Sequence, residues 1–238
     1  MNVKLVLFDL DGTLLPMDQD VFLKAYFGGL VRAMAPHGYE PTALIEAIRK
    51  GSDAMIANSG DKLNEEAFWE TVTAIYGERI RTDGRYFDDF YLAPDGFDKI
   101  RSFLGYTERA RETVDFIRSL GIRVALATNP VFPSIATEKR IAWAGLKPSD
   151  FELYTTYENC HFCKPNLAYY KEIIEKLGVS AEDSLMVGND VGDDMVAERL
   201  GMKVFLLTDC LINKTEKSPS DYPCGGFDEL ISFIKKNA

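Results

Sequence analysis

Two aspartates follow directly on an apolar run near the start of the chain. In VKLVLFDLDGTLL, residues 3 to 15, mostly apolar and β-branched residues predict a buried strand that ends at Asp9 and Asp11. Because the two residues are two positions apart, an extended backbone points both carboxylates to one side. Like charges so close repel one another unless a cation or strong donors hold them, and a fold tolerates that cost mainly where chemistry uses it. The pair therefore indicates a functional site.

Such a pair can carry out phosphoryl transfer. The first aspartate can attack phosphorus and form an aspartyl-phosphate, and the second can protonate the leaving oxygen and later deprotonate water. Gly12 permits a tight turn, from which the following amides and the hydroxyl of Thr13 can reach phosphate oxygens. Paired acids after a strand also simply cap loops, so the assignment depends on the rest of the sequence.

Polar groups that would complement a phosphate occur at two further points of the chain. Thr128 and Asn129 end IRVALATN and offer a hydroxyl and an amide to a phosphate. Lys164 in HFCKPN would neutralise phosphate and carboxylates alike at the edge of an acidic pocket, and Pro165 can start the next helix. Taken singly, a polar strand end is what any surface turn requires, and most lysines are only solvated.

Four oxygen-bearing side chains lie close together in VGNDVGDDM, at a predicted turn from strand to helix: Asn189, Asp190, Asp193 and Asp194. Acids also favour helix N-termini for capping and dipole reasons. Facing another acidic strand end, however, this group is more typical of a hard-cation site. Mg²⁺, held by one or two carboxylates plus phosphate and water, fits best.

Strands and helices alternate from about residue 106 onward, which predicts an α/β fold with a parallel sheet covered on both faces. The predicted strands are IRVALATN, FELYTT, SLMVGND and KVFLLTD, and the predicted helices are YTERARETVDFIRSLG, SIATEKRIAWAG, NLAYYKEIIEKLG, VGDDMVAERLG and FDELISFIKK. Ligands of such sheets bind beyond the carboxyl ends of the strands, where FDLDGT, ATN and GND all lie. Residues 16–105 show helical periodicity and many aromatics, and are predicted to form a helical insertion.

The composition is that of a globular protein and excludes several classes. Of the 238 residues, 46% are hydrophobic and 27% are charged, and no apolar run is long enough to span a bilayer. The net charge of −10 argues against general nucleic-acid binding. With no export-signal pattern at the N-terminus, the chain is expected to be cytoplasmic. Cys160 and Cys163 form a CxxC around His161; without a second ligand pair they are interpreted, with Cys210 and Cys224, as reduced and mostly packed thiols.

The four motifs DLDGT, ATN, KP and GNDxxxD, in this order, resemble those of the haloacid dehalogenase superfamily, specifically of its phosphatases. The resemblance covers residues 1–15 and 106–238 and implies a three-layer α/β/α, Rossmann-like core. It implies that Asp9 is the nucleophile and Asp11 the general acid and base, and that Thr128 and Lys164 bind the phosphoryl group. The last motif would hold Mg²⁺ together with Asp9 and Asp11. The expected reaction is hydrolysis of a small phosphorylated metabolite.

The resemblance also accounts for the insertion. The long segment between Asp11 and Thr128, and the short one between Thr128 and Lys164, imply a helical cap at the first insertion point, residues 16–105, and no second cap. Candidates for contact with the substrate are Tyr26, Arg32, His37, Arg85 and Tyr86. Aromatic residues at helical spacing are instead predicted to belong to the cap's own core: Phe68, Trp69 and Tyr76.

Individual residues indicate which branch of the superfamily the chain resembles. Asp11 argues for phosphate esters, because the dehalogenases lack a second aspartate there. A phosphonatase would need a Schiff-base lysine in the cap, for which Lys24, Lys50 and Lys62 qualify by type only, and a sugar-phosphate mutase would share every motif. A non-catalytic binding protein on this fold would be expected to have lost the nucleophile, the general acid or the lysine, and none is lost.

The last motif departs from the superfamily's usual GDxxxD. Register places Asn189 and Asp193 at the two acidic positions, whereas by residue type Asp190 and Asp194 also form DxxxD. The expected ion site therefore contains both aspartates of DLDGT and one side chain from the pair Asn189 and Asp190. Asp193 and Asp194 are expected to lie farther from the ion, with Asp193 acting through water or on Lys164.

Overall fold

A five-stranded parallel sheet forms the centre of the computed structural model, which describes residues 3–237. The strands, β1 to β5 in chain order, lie in the order β2-β1-β3-β4-β5 and span Leu5–Phe8, Arg123–Leu126, Ser184–Gly188, Lys203–Leu207 and Cys224–Gly225. β1 is flanked by β2 and β3, and Phe8 pairs with Leu126 on one side and Val187 on the other. The residues that follow these three strands therefore lie side by side at one edge of the sheet.

The described part of the chain also contains nine α-helices, α1 to α9: Gln19–Met34, Pro41–Ile56, Asn64–Tyr76, Arg79–Thr82, Gly84–Leu92, Glu108–Ser119, Ser134–Trp143, Leu167–Leu177 and Phe227–Asn237. Short 3-10 turns lie at Ala35–His37, Phe97–Phe103, Pro148–Asp150, Ala181–Asp183, Met195–Leu200 and Pro219–Asp221. α6 and α8 are followed by Gly121 and Gly178, whose positive φ angles of 74° and 63° are accessible to glycine at little cost. None of the helices within residues 3–237 has the length and hydropathy needed to cross a bilayer.

Alternation along β1 divides the apolar side chains between the two faces of the sheet. Val6 and Phe8 belong to one buried cluster, together with residues of α6, α7 and α9. Leu5 and Leu7 belong to a second cluster, together with residues of α8. Helices therefore cover both faces of the sheet, which confirms the predicted α/β fold with three layers.

The segment from 16 to 105 contains helices α1 to α5 and no strand among its residues, as its periodicity predicts. The apolar cluster on the Val6 face continues into this segment through Phe22, Tyr26 and Leu30 of α1. The helical segment and the sheet thus share a continuous apolar core.

Two local predictions at element level are wrong. FELYTT forms only a single bridge, Leu126 to Tyr154, because the chain runs along β2 for three backbone hydrogen bonds and then turns away. VGDDMVAERLG forms no α-helix: it closes one turn, in which Asp194 N–H donates to Asp190 O at 2.9 Å, and continues as the 3-10 segment Met195–Leu200, in which Ala197 N–H donates to Asp194 O three residues back.

Pro165 does not start α8. The helix begins at Leu167, and its N-cap is Asn166, whose side-chain oxygen accepts the N–H of Ala168 at 2.9 Å. Two residues therefore separate Lys164 from the helix, and the lysine lies on a loop.

Packing of α2 against α3 depends on Gly51. A Cβ at this position would lie 2.6 Å from the Phe68 ring and 2.9 Å from Val72, whereas a Cβ at Gly28, in α1, would meet nothing within 4 Å. We expect Gly51→Ala to lower the free energy of unfolding by about 1–3 kcal/mol through overpacking. Gly28→Ala should raise it by about 0.5–1 kcal/mol through helix propensity. Urea unfolding measures both, and a change of the same sign in the two variants would contradict this packing.

Candidate active site

A buried lysine joins two carboxylates beyond the end of β1. Lys164 Nζ donates to Asp9 Oδ1 at 2.8 Å and to Asp194 Oδ1 at 2.6 Å, and all three residues are buried. Burial acts to lower the pKa of Lys164, but the charges of Asp194 and Asp9 outweigh it and raise that pKa well above its ordinary value. Lys164 is therefore a permanent cation, paired as a buried charge needs to be.

Asp9 is held both by its backbone and by its carboxylate. Its N–H donates to Val187 O of β3 at 2.9 Å, and its Oδ2 lies 3.1 Å from Thr13 Oγ1. The same hydroxyl lies 3.0 Å from Asn189 Oδ1, and its single proton can go to only one of the two oxygens at a time. Gly12, with a φ of 84°, leaves the necessary space, since a Cβ there would lie 2.3 Å from Asn189 Nδ2. The DLDGT and GND loops meet at this point.

Asp11 pairs with Arg140 of α7. Arg140 Nη1 donates to Asp11 Oδ2, Nη2 donates to Thr137 Oγ1 at 3.2 Å, and the guanidinium lies over the Phe132 ring, 4.6 Å from its centroid. Asp11 Oδ1 is buried and has no hydrogen-bond partner among the described residues. Burial raises the pKa of Asp11, against the opposing charge of Arg140. A carboxyl group in this environment can carry a proton on its free oxygen.

Arg140 is a site residue that sequence reasoning missed. It is 1% exposed and lies on the buried face of α7 with Ala136 and Trp143. The spacing of these residues, four and then three apart, carries a signal, because it puts a charged residue within an apolar stripe of the helix. A charge in such a stripe needs a buried partner, but nothing local names Asp11 as that partner.

The aspartates of the last motif, GNDxxxD, make different contacts. Asp194, rather than Asp193, contacts Lys164, and its Oδ2 accepts the N–H of Asp190 at 3.0 Å. The expected contact of Asp193 with Lys164 is corrected accordingly. Asp190 Oδ1 accepts the N–H groups of Gly192 at 2.7 Å and of Asp193 at 3.0 Å, and this turn directs residue 194 back toward the lysine. Burial raises the pKa of Asp193.

Asn189 is the member of the Asn189 and Asp190 pair whose side-chain oxygen lies beside Thr13. Its Nδ2 donates to Cys210 O at 2.6 Å, which fixes the orientation of the amide. The carboxylate of Asp190 is engaged in its own turn. The side-chain oxygens near Asp9 thus come from one amide as well as from acids. Within residues 3–237 no cluster of three or more His, Cys, Asp or Glu side chains could bind a metal ion by itself.

Thr128 and Asn129 follow β2, beside β1. Thr128 is buried, and its carbonyl accepts the hydroxyls of Thr155 at 2.6 Å and of Tyr169 at 2.8 Å. Asn129 Oδ1 accepts the backbone N–H of Lys164 at 3.2 Å. The structure therefore brings residues of all four motifs to the same edge of the sheet.

The helical segment is anchored beside Lys164 by Asn64, a second residue that sequence reasoning missed. Asn64 is fully buried; its N–H donates to Cys160 O at 2.9 Å, and its Nδ2 donates to Phe162 O at 3.3 Å and to Cys163 Sγ at 3.4 Å. All three acceptors lie on the loop that leads to the lysine. Both cysteines are free, and burial raises the pKa of each thiol to about 12, as befits packed thiols.

A cavity of about 630 Å³ lies between the helical segment and the sheet edge. Asp11 and Asn129 line it on the sheet side. Of the candidate substrate contacts, Tyr26 lines the cavity, whereas Arg32, His37, Arg85 and Tyr86 are absent from its wall among the described residues. His37 instead stacks on Tyr86, with the ring centroids 3.5 Å apart.

Two aromatics predicted as core of the helical segment belong to the cavity wall. Phe68 and Trp69 line the cavity, and only Tyr76 packs away from it, with its ring centroid 5.4 Å from that of Tyr39. Phe68 and Trp69 also pack against the apolar core, as predicted, so these two rings serve both core and cavity wall; helical spacing shows which residues share a face but not everything that this face contacts.

Known proteins match this chain over most of its length. Residues 3–201 match the family model of the haloacid dehalogenase-like hydrolases. The chain is 28% identical over 243 residues to a phosphoglycolate phosphatase of Vibrio parahaemolyticus, covering 100% of this chain and 98% of that protein. It is 22% identical over 250 residues to a glyceraldehyde 3-phosphate phosphatase of Methanocaldococcus jannaschii, covering 98% and 97%. A crystal structure of a HAD phosphatase from Thermococcus onnurineus, 19% identical, covers 97% of both chains with a TM-score of 0.56 and shows the same fold.

The pair of Asp11 and Arg140 should show energetic coupling. Arg140→Met leaves a largely buried carboxylate without its cation, so we expect the free energy of unfolding to fall by about 1–3 kcal/mol. Adding Asp11→Asn removes that orphaned charge, and the double variant should be more stable than Arg140→Met alone. Urea unfolding of the full double-mutant cycle measures the coupling. The control is Arg118→Met, because Arg118 is a more exposed partner of Asp150; this substitution should lower the free energy of unfolding by less than about 1 kcal/mol. Strictly additive effects of Arg140→Met and Asp11→Asn would contradict the pairing.

Proposed function

The chain belongs to the haloacid dehalogenase-like hydrolases, and on that premise we propose that it is a Mg²⁺-dependent phosphatase that hydrolyses a small phosphorylated metabolite through an aspartyl-phosphate on Asp9. The observation that carries the proposal is the contact of Asp9 with the buried ammonium of Lys164, while Asp11 keeps a buried oxygen unpartnered among the described residues. The names of the two relatives, both phosphatases of small phosphorylated acids or aldehydes, agree with this chemistry.

In the first half-reaction Asp9 is the nucleophile. One of its carboxylate oxygens attacks phosphorus, the bond from phosphorus to the ester oxygen breaks, and the leaving oxygen takes the proton from Asp11. Lys164 and Thr128 are assigned to the phosphoryl oxygens, where their positive ends stabilise the charge of the transition state; the N–H groups of Thr13 and Leu15, expected from the sequence to reach the phosphate, donate instead to Leu10 O. Thr13, whose hydroxyl contacts Asp9, and Asn129, which accepts the N–H of Lys164, are assigned to the same phosphate site.

In the second half-reaction Asp11 acts as the base. As a carboxylate it takes a proton from water, the water oxygen attacks phosphorus, and the bond between phosphorus and Asp9 breaks to release phosphate. Arg140 stabilises the carboxylate form of Asp11 between the two half-reactions, because its guanidinium contacts Asp11 Oδ2. The net reaction consumes one water and returns both aspartates to their starting states.

The oxygen donors at the sheet edge fit Mg²⁺. We assign the ion to the Asp9 carboxylate, the Asp11 carbonyl and the Asn189 amide oxygen, all of them hard oxygen ligands. Asn189 is preferred over Asp190 because Gly12 leaves the space in which the Asn189 amide lies, whereas Asp190 caps its own turn. When bound, Mg²⁺ supplies positive charge that offsets the acids and polarises the phosphoryl group.

We assign residues 16–105 as a cap over a catalytic core made of residues 1–15 and 106–238. The cavity between the two parts supports this assignment, because its wall combines helices of the segment with Asp11 and Asn129 of the sheet edge. In such an arrangement the cap excludes water from the intermediate and contacts the organic part of the substrate.

The cavity wall disfavours the phosphonatase alternative. None of the candidate lysines, Lys24, Lys50 and Lys62, lines the cavity among the described residues. Lys50 pairs with Glu46 and Lys62 pairs with Glu70, both at exposed positions. Within residues 3–237, therefore, the cavity wall offers no lysine that could form a Schiff base with a substrate carbonyl.

Asp9→Asn tests the nucleophile. The substitution keeps the shape of the side chain, and Lys164 retains Asp194 as its partner, so the fold should survive. Hydrolysis of p-nitrophenyl phosphate should fall by more than about a thousandfold, because the covalent path is lost. Asp95→Asn, at an exposed position, is the matched control. A folded Asp9→Asn protein, judged by circular dichroism, that keeps more than about a tenth of wild-type turnover would falsify the assignment.

The metal assignment is tested by comparing Asn189→Ala with Asp190→Asn. Asn189→Ala removes a proposed ligand and should raise the Mg²⁺ concentration for half-maximal activity by at least about tenfold. Asp190→Asn keeps the acceptor for its turn and should change that concentration little. The shift of melting temperature with added Mg²⁺ gives a readout independent of turnover. The reverse order of the two variants would move the ligand to Asp190.

A further inference from the structure

The cavity that Asp11 lines is far larger than a two-carbon leaving group needs. Its volume of about 630 Å³ is that of clefts that hold drug-sized ligands, roughly 300 to 1,000 Å³. Much of its wall is aromatic: Phe22, Phe27, Phe68, Trp69, Phe87 and Phe132. Trp69 meets the Phe68 and Phe87 rings edge to face, at centroid distances of 5.2 and 6.2 Å. A short polar leaving group would leave this apolar surface in contact with water.

The charged groups of the cavity wall are mostly acidic. Carboxylates come from Asp11, Asp53, Glu65 and Asp88. Arg49 is the only cation in the wall among the described residues, and its exposed guanidinium lies over the Phe27 ring, 5.4 Å from the centroid. Glu65 is half-buried. A leaving group with its own carboxylate or second phosphate would therefore be repelled from most of the wall.

Tyr26 and Tyr91 add a buried polar group to the wall. Their hydroxyls lie 2.9 Å apart, and neither makes a second side-chain hydrogen bond within residues 3–237. One hydrogen bond between two hydroxyls uses one proton, so the other proton remains available to an acceptor. Burial raises the pKa of Tyr26 to about 12 and that of Tyr91 well above its ordinary value, so both stay protonated. The pair can donate to a neutral oxygen or nitrogen of a ligand.

We infer that the substrate is the phosphate ester of an alcohol that carries a flat aromatic ring and no negative charge beyond the phosphate, rather than a phosphorylated short-chain acid. This inference rests on the proposed phosphatase function and names its substrate class. Aromatic walls favour a flat ring, which packs against them by edge-to-face and offset contacts. The carboxylates accept N–H or O–H groups of the ligand, and the tyrosine pair supplies one donor.

The test compares esters that are alike at the reacting oxygen. Ethyl phosphate, 2-phenylethyl phosphate and 2-phosphoglycolate are all primary alkyl esters, so differences in kcat/KM with the full-length protein and Mg²⁺ report recognition of the remaining part. We expect kcat/KM for 2-phenylethyl phosphate to exceed that for ethyl phosphate by at least about tenfold. The value for 2-phosphoglycolate should lie below that for ethyl phosphate. A preference for 2-phosphoglycolate overturns the inference.

Two variants connect the preference to the cavity wall. Trp69→Leu should reduce the advantage of 2-phenylethyl over ethyl phosphate by at least about fivefold, whereas Phe103→Leu, an aromatic that is 59% exposed and outside the wall, should not. Glu65→Gln should raise kcat/KM for 2-phosphoglycolate relative to ethyl phosphate. Glu70→Gln, on the same helix but paired with Lys62 at an exposed position, should leave that ratio unchanged.

The outcomes separate this inference from the function on which it rests. Urea midpoints show whether Trp69→Leu and Glu65→Gln fold. If both fold and both keep the wild-type ratios of kcat/KM between the esters, the cavity wall does not set specificity and the inference fails. If the wild-type protein hydrolyses no ester, p-nitrophenyl phosphate included, the proposed function itself fails. If the protein hydrolyses p-nitrophenyl phosphate but has its highest kcat/KM among the three alkyl esters for 2-phosphoglycolate, the inference fails and the proposed function stands.

Discussion

A single buried ammonium between two carboxylates is the constraint on which the sheet edge is built. Taking Lys164, Asp9 and Asp194 out of water costs more than their attraction returns unless the geometry is fixed and the remaining oxygens are bonded. The backbone fixes it, since Asp9 is held to β3 and Asp194 accepts an N–H from the Asp190 turn. Gly188 belongs to the same arrangement, because a Cβ there would lie 2.1 Å from Asp194 Oδ2. The motifs thus stabilise one another, and each alone would bury an unpaired charge.

The charge of this edge explains why an amide at position 189 is physically reasonable. Lys164 offsets only one of its two carboxylate partners, and Asp11 is already assigned to Arg140. A further carboxylate beside Thr13 would add a negative charge where a phosphate dianion is proposed to bind. An amide keeps an oxygen donor without that charge. The amide should therefore weaken attraction for a cation and at the same time lessen repulsion of the phosphate.

Much of the scaffold could be predicted from the sequence because its signals are local. Apolar runs with polar ends mark β1, β2, β3 and β4, and a glycine after a periodic segment marks the ends of α6 and α8. The contacts of Arg140 and Asn64 could not be predicted, because their partners are distant in the chain. The choice of Asp194 over Asp193 could not be predicted either, since it depends on how one turn closes. Periodicity likewise could not show that Phe68, predicted as core, also lines a cavity.

A short series of packed side chains connects helix α1, which lines the cavity, to Asp11. Tyr26 of α1 contacts the edge of Phe132 at a centroid distance of 5.2 Å, and Phe132 lies under the Arg140 guanidinium that holds Asp11. The helical segment therefore packs, through Phe132, against the residue that pairs with Asp11, whereas Asp9 is fixed by β3 and Lys164. The proposed nucleophile is thus held by the sheet edge, and the surroundings of the proposed general acid depend in addition on how α1 packs against that edge.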